Sequence, residues 1–333
     1  MTRTRAGGPE APSPKHRFEG ARGSRRAPLA AAAALTALVL TAPAAQATYP
    51  GQSGEIALAR LDRFDNYQLW AVNPKSRRTR RLTSTPQRCS NRRDTWIDEQ
   101  PSYSASGRWI VYHHVDDCFG PMPDGIYRMR SNGTGRRLLV RPRGNTVLDW
   151  PALSPSGRLL AWGALGGSDE SDAGRVYVAP VSRLARRVAV PGERTFDPAW
   201  SSNGRLLATA FDAITMFDAS GRQLSTLTAS EGMDFAPDWS PDGSRIAFYR
   251  VLGGERGEDV YLIGADGRGL RRFTASRDAE DPVWSPDGRR IAFIRDRDLN
   301  GTGSLFVKPA RGGRARLVLR NVDADRLSWR ALR

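Results

Sequence analysis

The 333-residue chain is poor in lysine, histidine and cysteine. Its two cysteines, Cys89 and Cys118, offer no zinc-site spacing, and neither follows the N-terminal apolar stretch closely enough to carry a lipid anchor. Beyond that stretch the only histidines are His113 and His114. No Gly-x-Ser-x-Gly occurs, which removes the nucleophile elbow of the α/β-hydrolases. No phosphate-cradling glycine loop or dinucleotide fingerprint is present either, so no cofactor is expected. The longest apolar run, about 14 residues ending before Pro43, is short of the roughly 20 that span a bilayer.

What the chain has in excess is arginine. Lysine and arginine total 51 against 35 acidic residues, a formal net charge of +16, yet only Lys15, Lys75 and Lys308 are lysines. Residues 1–47 hold seven basic and two acidic residues (+5), leaving +11 on the remainder. The excess fits either an anionic partner or a general preference for arginine over lysine.

Residues 1–28 are polar and basic and end near Arg25 and Arg26; the apolar run and then Ala45-Gln46-Ala47 follow. Basic, apolar and small-x-small segments in that order predict a signal peptide over residues 1–47, cleaved near Ala47. The protein is then exported, extracellular or in the cell envelope. The stretch Ser24-Arg25-Arg26-Ala27-Pro28-Leu29 loosely resembles a twin-arginine signal, so the general secretory and twin-arginine routes both stay open, as does an uncleaved anchor. Export argues against nucleic acid as a partner.

One phrase recurs through the rest. It reads Pro101-Ser-Tyr103-Ser-Ala-Ser-Gly107, Pro151-Ala-Leu153-Ser-Pro-Ser-Gly157, Pro198-Ala-Trp200-Ser-Ser-Asn-Gly204, Pro237-Asp-Trp239-Ser-Pro-Asp-Gly243 and Pro282-Val-Trp284-Ser-Pro-Asp-Gly288. The glycines lie 50, 47, 39 and 45 residues apart, the length of one four-stranded propeller blade. In each copy a short strand meets a turn in which Pro presets φ and Gly supplies φ > 0, and a second apolar strand such as Ile246-Ala-Phe248 follows. Such strands cannot bury both faces alone, so neighbouring units must stack on them.

The Pro-x-Trp-Ser-Pro-Asp-Gly wording, followed by Arg-Ile-Ala-Phe, resembles the TolB-type propeller repeat, a WD-like repeat family, over roughly residues 54–332. The resemblance implies an all-β, six-bladed propeller of four-stranded blades. Blades are expected at about 54–84 plus 326–332, 98–141, 149–190, 197–228, 235–274 and 281–320, within a domain of residues 48–333. Trp329 lies 45 residues after Trp284, on period, so the C-terminal strand is expected to complete blade one and close the ring. The α/β domain that precedes the propeller in TolB itself is not expected here.

Acidic residues gather before the first strand of each blade: Asp98 and Glu99, Asp149, Asp197, Asp234, Asp281 with Glu280, and Asp325. Arginines gather after the tight turns, among them Arg108, Arg158, Arg205, Arg245 and Arg289. The expected particle is acidic around an upper channel mouth and basic below, where it would meet an anionic surface. Aspartates capping turns and arginines shielding strand edges account for the same pattern. Cys89 and Cys118 fall in loops of blade two that open on the same face, so an oxidising compartment predicts a disulfide.

His113 and His114 are adjacent on a strand and should point to opposite faces, which prevents both from ligating one metal. A His114–Asp116 ligand pair is weaker than an ordinary hydrogen bond as a reading. Asp296, Asp298 and Asn300 match the opening of a calcium loop, but the twelfth position is Val307 and not glutamate, so a structural turn is preferred and no metal is expected. The function expected is an exported, non-catalytic, monomeric module that binds a protein or envelope polymer through the upper mouth, as the resemblance implies. The alternative is a glycosidase- or lactonase-type propeller hydrolase using acids such as Asp98, Asp149 and Asp281.

Overall fold

The computed structural model describes residues 49–86, 95–117, 122–166, 174–192, 195–210, 213–228, 232–252, 257–296, 302–323 and 326–332. Among these residues every helical or strand element is a β-strand. The first sheet contains β1 (Gln52–Leu61), β2 (Tyr67–Val72) and β3 (Thr79–Arg81). The second runs β4 (Trp96–Tyr103), β5 (Trp109–Asp116), β6 (Gly125–Arg130), β7 (Arg137–Val140). The third is β8 (Val147–Leu153), β9 (Leu159–Leu165), β10 (Arg175–Pro180), β11 (Val188–Ala189), and the fourth β12 (Thr195–Trp200), β13 (Leu206–Ala210), β14 (Ala213–Phe217), β15 (Gln223–Thr226). The fifth is β16 (Met233–Trp239), β17 (Arg245–Val251), β18 (Glu258–Gly264), β19 (Arg271–Arg272), and the sixth β20 (Ala279–Trp284), β21 (Arg290–Arg295), β22 (Thr302–Pro309), β23 (Arg316–Asp323). The last strand, β24 (Ser328–Leu332), pairs antiparallel with β1, setting Trp329 opposite Ile56. Within each set, consecutive strands pair antiparallel. Tyr67 also pairs in parallel with Ile97, tying β2 to β4, so the first two sets and β24 form one continuous eight-stranded sheet; they are called sheets one and two for convenience.

The repeated phrase builds the first hairpin of a sheet. In sheet five the Ser240 hydroxyl donates to Asp242 Oδ1 (2.6 Å) and accepts from the Arg245 N–H (2.9 Å). The Gly243 N–H donates to the Ser240 carbonyl (2.9 Å), and Gly243 sits at φ 69°, where a side chain would be strained. The following strand is buried on both faces. Ile246 and Phe248 of β17 pack with Ile214 and Met216 of sheet four, whereas Ala247 packs with Trp284 and Phe293 of sheet six. Period-two alternation therefore feeds two interfaces at once, and that is why an isolated sheet would not hold.

Where the phrase carries tryptophan, at Trp200, Trp239 and Trp284, the ring packs against the preceding sheet, and Tyr103 and Leu153 take that place in the other two copies. Trp239 and Trp284 are almost fully buried. Arg245 lies over the Trp284 ring (5.2 Å) and Arg290 over that of Trp329 (5.4 Å), so some of the surplus arginines roof the tryptophan of the next sheet. The same logic joins the ends of the chain: Val283, Ile294 and Leu305 of sheet six share a core cluster with Ile56, Leu58 and Trp329.

Candidate functional site

The first strands of sheets two to six each break their regular backbone at one place, and Arg326, just before β24, repeats the conformation. Gln100, Trp150, Asp197, Ala236, Asp281 and Arg326 all have φ between 46° and 56°, although none is glycine. Register slips across this residue in the pairs of β4, β8, β12, β16 and β20. These are β-bulges, and all but Arg326 stand immediately before the proline of the repeat. Proline lacks the N–H a central strand would need, so bulges and edge strands are where it is tolerated. Strain of this kind costs on the order of 1–3 kcal/mol per residue and persists only where surrounding bonds hold it.

Those bonds link sheet to sheet. The Trp150 N–H donates to Gln100 Oε1 (2.7 Å), the Ala236 N–H to Asp197 Oδ2 (3.1 Å) and the Arg326 N–H to Asp281 Oδ2 (3.0 Å). Just past the bulge, the Trp284 N–H donates to Asp238 Oδ2 (2.7 Å) and the Tyr103 N–H to Ser328 Oγ (2.9 Å). The segments beyond the bulges converge on one cavity of about 60 Å³. It is lined by Tyr103, Leu153, Trp200, Asp238, Val283 and Ser328, together with Tyr49, whose hydroxyl donates to the Leu153 carbonyl (3.1 Å). Arg326 lines it too, and its guanidinium donates to the Pro198 carbonyl (2.7 Å).

The acidic residues read from sequence as one ring occupy three structural positions, and they lie inside the first strands instead of capping turns before them. Asp98 and Asp234 are two residues before the bulge. Glu99 and Asp149 are one residue before it. Asp197 and Asp281 are the bulge residue itself. Asp98, Asp149, Asp197, Asp234 and Asp281 are all buried. Asp325 lies outside the described residues.

Each buried acid has a fixed partner. Asp234 receives both Nε (2.6 Å) and Nη2 (2.9 Å) of Arg250. Asp98 accepts from Trp96 Nε1 (2.9 Å) and from His114 Nδ1 (2.8 Å), which must therefore carry its proton. The His114 ring meets Trp96 and Tyr127 edge-on, and its buried Nε2 has no hydrogen-bond partner among the described residues. His114 thus pairs with Asp98 and not with Asp116, while His113 faces a different set of residues. Burial pushes the Asp281 carboxyl up to about 6 against the relief given by the Arg326 N–H, and it raises Asp197 as well, with the Arg326 charge opposing.

Glu99, His113 and Asp149 form a cluster that sequence reasoning missed. His113 Nδ1 lies 3.2 Å from Glu99 Oε1 and 3.5 Å from Asp149 Oδ1. Burial alone would depress the His113 pKa, but the Glu99 hydrogen bond and the Asp149 charge reverse that and raise it. Asp149 is raised too, by burial first, with His113 opposing and the Glu99 charge adding. Beside this cluster the rim turns aromatic: Trp150 meets Phe196 edge-on (5.8 Å), and Phe235 stacks on Tyr249 (5.4 Å). Gly163 leaves room for Trp150, since a Cβ there would stand 2.8 Å from the indole.

The remaining candidates lie elsewhere. Cys89 and Cys118 fall outside the described residues, as do Asp298, Asn300 and the N-terminal segment through residue 48. Asp296 is buried just after β21. Of the arginines expected on the lower face, Arg108, Arg158, Arg205 and Arg289 are exposed.

Comparison with known proteins adds the family likeness. Residues 193–325 match the family model described as TolB beta propeller domain. A TolB homolog of Chlorobium chlorochromatii is 38% identical over 103 residues, which is 29% of this chain and 22% of that protein, so the chain spans about a fifth of that relative. The crystal structure of TolB from Acinetobacter baumannii superposes with a TM-score of 0.65 at 18% identity, covering 84% of this chain and 67% of the other. Oligogalacturonate lyase from Vibrio parahaemolyticus also superposes, with a TM-score of 0.52 at 10% identity over 83% and 78% of the two chains. The likenesses to solved structures concern the fold alone, and a fold hosts many activities. Over residues 193–325, which hold two of the Pro-x-Trp-Ser-Pro-Asp-Gly hairpins, the chain is similar to the TolB beta propeller domain.

Proposed function

We propose that this protein is an exported six-bladed propeller, closed by β24 completing the first sheet, that binds a protein or cell-envelope polymer and catalyses no reaction. The closure reading is supported by the β24–β1 pairing and by the core cluster that sheets six and one share. The observation that carries the binding reading is the fate of the carboxylates. Asp98, Asp197, Asp234 and Asp281 are each engaged by a fixed donor, Asp98 and Asp234 within their own sheet and Asp197 and Asp281 across to the next, so the acids that a hydrolase would need free are occupied structurally.

The binding surface in this reading is the end of the particle where the first strands begin. Val147 and Met233 expose apolar side chains there, at the starts of β8 and β16. The opposite end presents exposed arginines and suits an anionic polymer or headgroup layer as a second, salt-sensitive contact. The protein acts as a monomer in the envelope or outside it, after cleavage near Ala47, with Cys89 and Cys118 bridged. Capture from envelope extract with the chain from Thr48 onward tests the reading. A saturable protein or polymer partner is expected; retention of nothing at low salt would overturn it.

A second reading has one observation in its favour. Asp197 and Asp281 are both buried with raised pKa, chiefly through burial; the Asp197 charge adds to the rise at Asp281, and the Arg326 charge opposes both. Turnover of a glycan or lactone that is lost in Asp281→Asn would establish it.

A further inference from the structure

We propose that Glu99, His113 and Asp149 form a binding site for one divalent first-row transition-metal ion, bridging sheets two and three beside the channel mouth.

The geometry is that of a ligand set. One oxygen of each carboxylate and a ring nitrogen of the imidazole all lie within 4.8 Å of one another. An ion held by oxygen and nitrogen at about 2.1 Å in tetrahedral geometry keeps its donors about 3.4 Å apart. The two edges that meet at His113 Nδ1 are 3.2 and 3.5 Å. A single Nδ1 proton is shared awkwardly between two carboxylates, because it can point at only one of them. A cation at the same place meets all three donors.

The support around the ligands is already built. Glu99 and His113 sit directly opposite each other on β4 and β5, and Asp149 comes from β8 of the next sheet, so every ligand rides on a strand and none on a loop. The Gln100 side chain hydrogen-bonds Asp149, and its Oε1 accepts from the Trp150 N–H, pinning the distance between the two strands that carry the acids. The Glu99 side chain keeps 15% of its surface accessible, which gives an ion a way in and leaves coordination positions toward the mouth. Calcium and magnesium prefer all-oxygen sites, so an imidazole between two carboxylates selects zinc, cobalt or manganese instead.

The test uses the full chain without an affinity tag, stripped with chelator and titrated with Co²⁺ and Zn²⁺. One equivalent of Co²⁺ should bind with visible d–d bands and no thiolate charge-transfer band, and Zn²⁺ should displace it. His113→Gln and Asp149→Asn should each weaken binding at least ~10-fold, whereas His114→Gln, whose ring serves Asp98, should leave it unchanged. Circular dichroism and melting establish that the variants are folded; if His113→Gln is not, the partly accessible Glu99→Gln carries the comparison. Absence of saturable binding by the folded wild type would overturn the site. Binding that survives Glu99→Gln and Asp149→Asn, or that carries a thiolate signature, would overturn it too.

Discussion

Sheets two and five solve the same problem with different chemistry. Each buries an aspartate two residues before the bulge, and in each the residue directly opposite on the second strand supplies a nitrogen: His114 for Asp98, Arg250 for Asp234. The guanidinium makes two bonds and keeps its charge at every accessible pH. The imidazole makes one, and Trp96 Nε1 supplies the second. The difference carries over to the next position along the strand. There sheet five places the stacked pair Phe235 and Tyr249, while sheet two places Glu99 and His113. Sheet five is built as fixed architecture; sheet two places titratable, ligand-capable groups at the same positions of the same fold.

The comparison breaks most visibly at Arg250. Arg250→Leu should cost about 3–5 kcal/mol in chemical unfolding, because it leaves Asp234 buried without its countercharge. The double replacement Asp234→Leu with Arg250→Met should recover most of that loss. His114→Phe in sheet two should cost less, about 1–2 kcal/mol, since Trp96 still donates to Asp98. If His114→Phe proves as damaging as Arg250→Leu, the contrast between the sheets is wrong.

Asp281 sharpens the contrast through pH. Its folded carboxyl titrates near 6, above the ordinary 3.8, so the folded state holds this proton more tightly than the unfolded chain. That contribution is fully present below about pH 3.8 and is lost as pH rises through 6. Asp281→Asn should therefore unfold with a flatter pH dependence between 4 and 6, measured by urea denaturation at successive pH values. A smaller effect is expected for His113→Gln, within about 0.5–1 kcal/mol of wild type in unfolding, since Glu99 can be hydrated.

The recurring phrase made the all-β fold and the likeness to the TolB propeller domain legible, because Pro, Gly and Trp each have a mechanical role there: bulge, turn and interface. The candidate site was legible only as a list of acids. A hairpin without the bulge would set Glu99 opposite His114, whereas the extra residue at Gln100 and Pro101 slips the register by one and sets it opposite His113. A one-residue slip also separates Asp98 from Glu99 in role, so a ring read from spacing became three tiers. The 50-residue repeat did hold one clue, since it aligns Glu99 with Asp149 on neighbouring first strands. Arg250 and Arg326 were lost among the many arginines, and only pairing distinguishes them from the solvated ones.

The most direct test of the binding account compares variants at the two ends of the particle. Val147→Asp with Met233→Asp changes exposed side chains where the first strands begin, and Arg158→Glu with Arg289→Glu changes exposed ones at the tight turns. Such surface changes should leave stability within about 0.5 kcal/mol. Quantitative capture from envelope extract should show a saturable partner held by wild type and by the arginine variant at physiological salt, and lost by the Val147 and Met233 variant. Equal retention by all three, or a partner lost only with the arginines, would contradict the account.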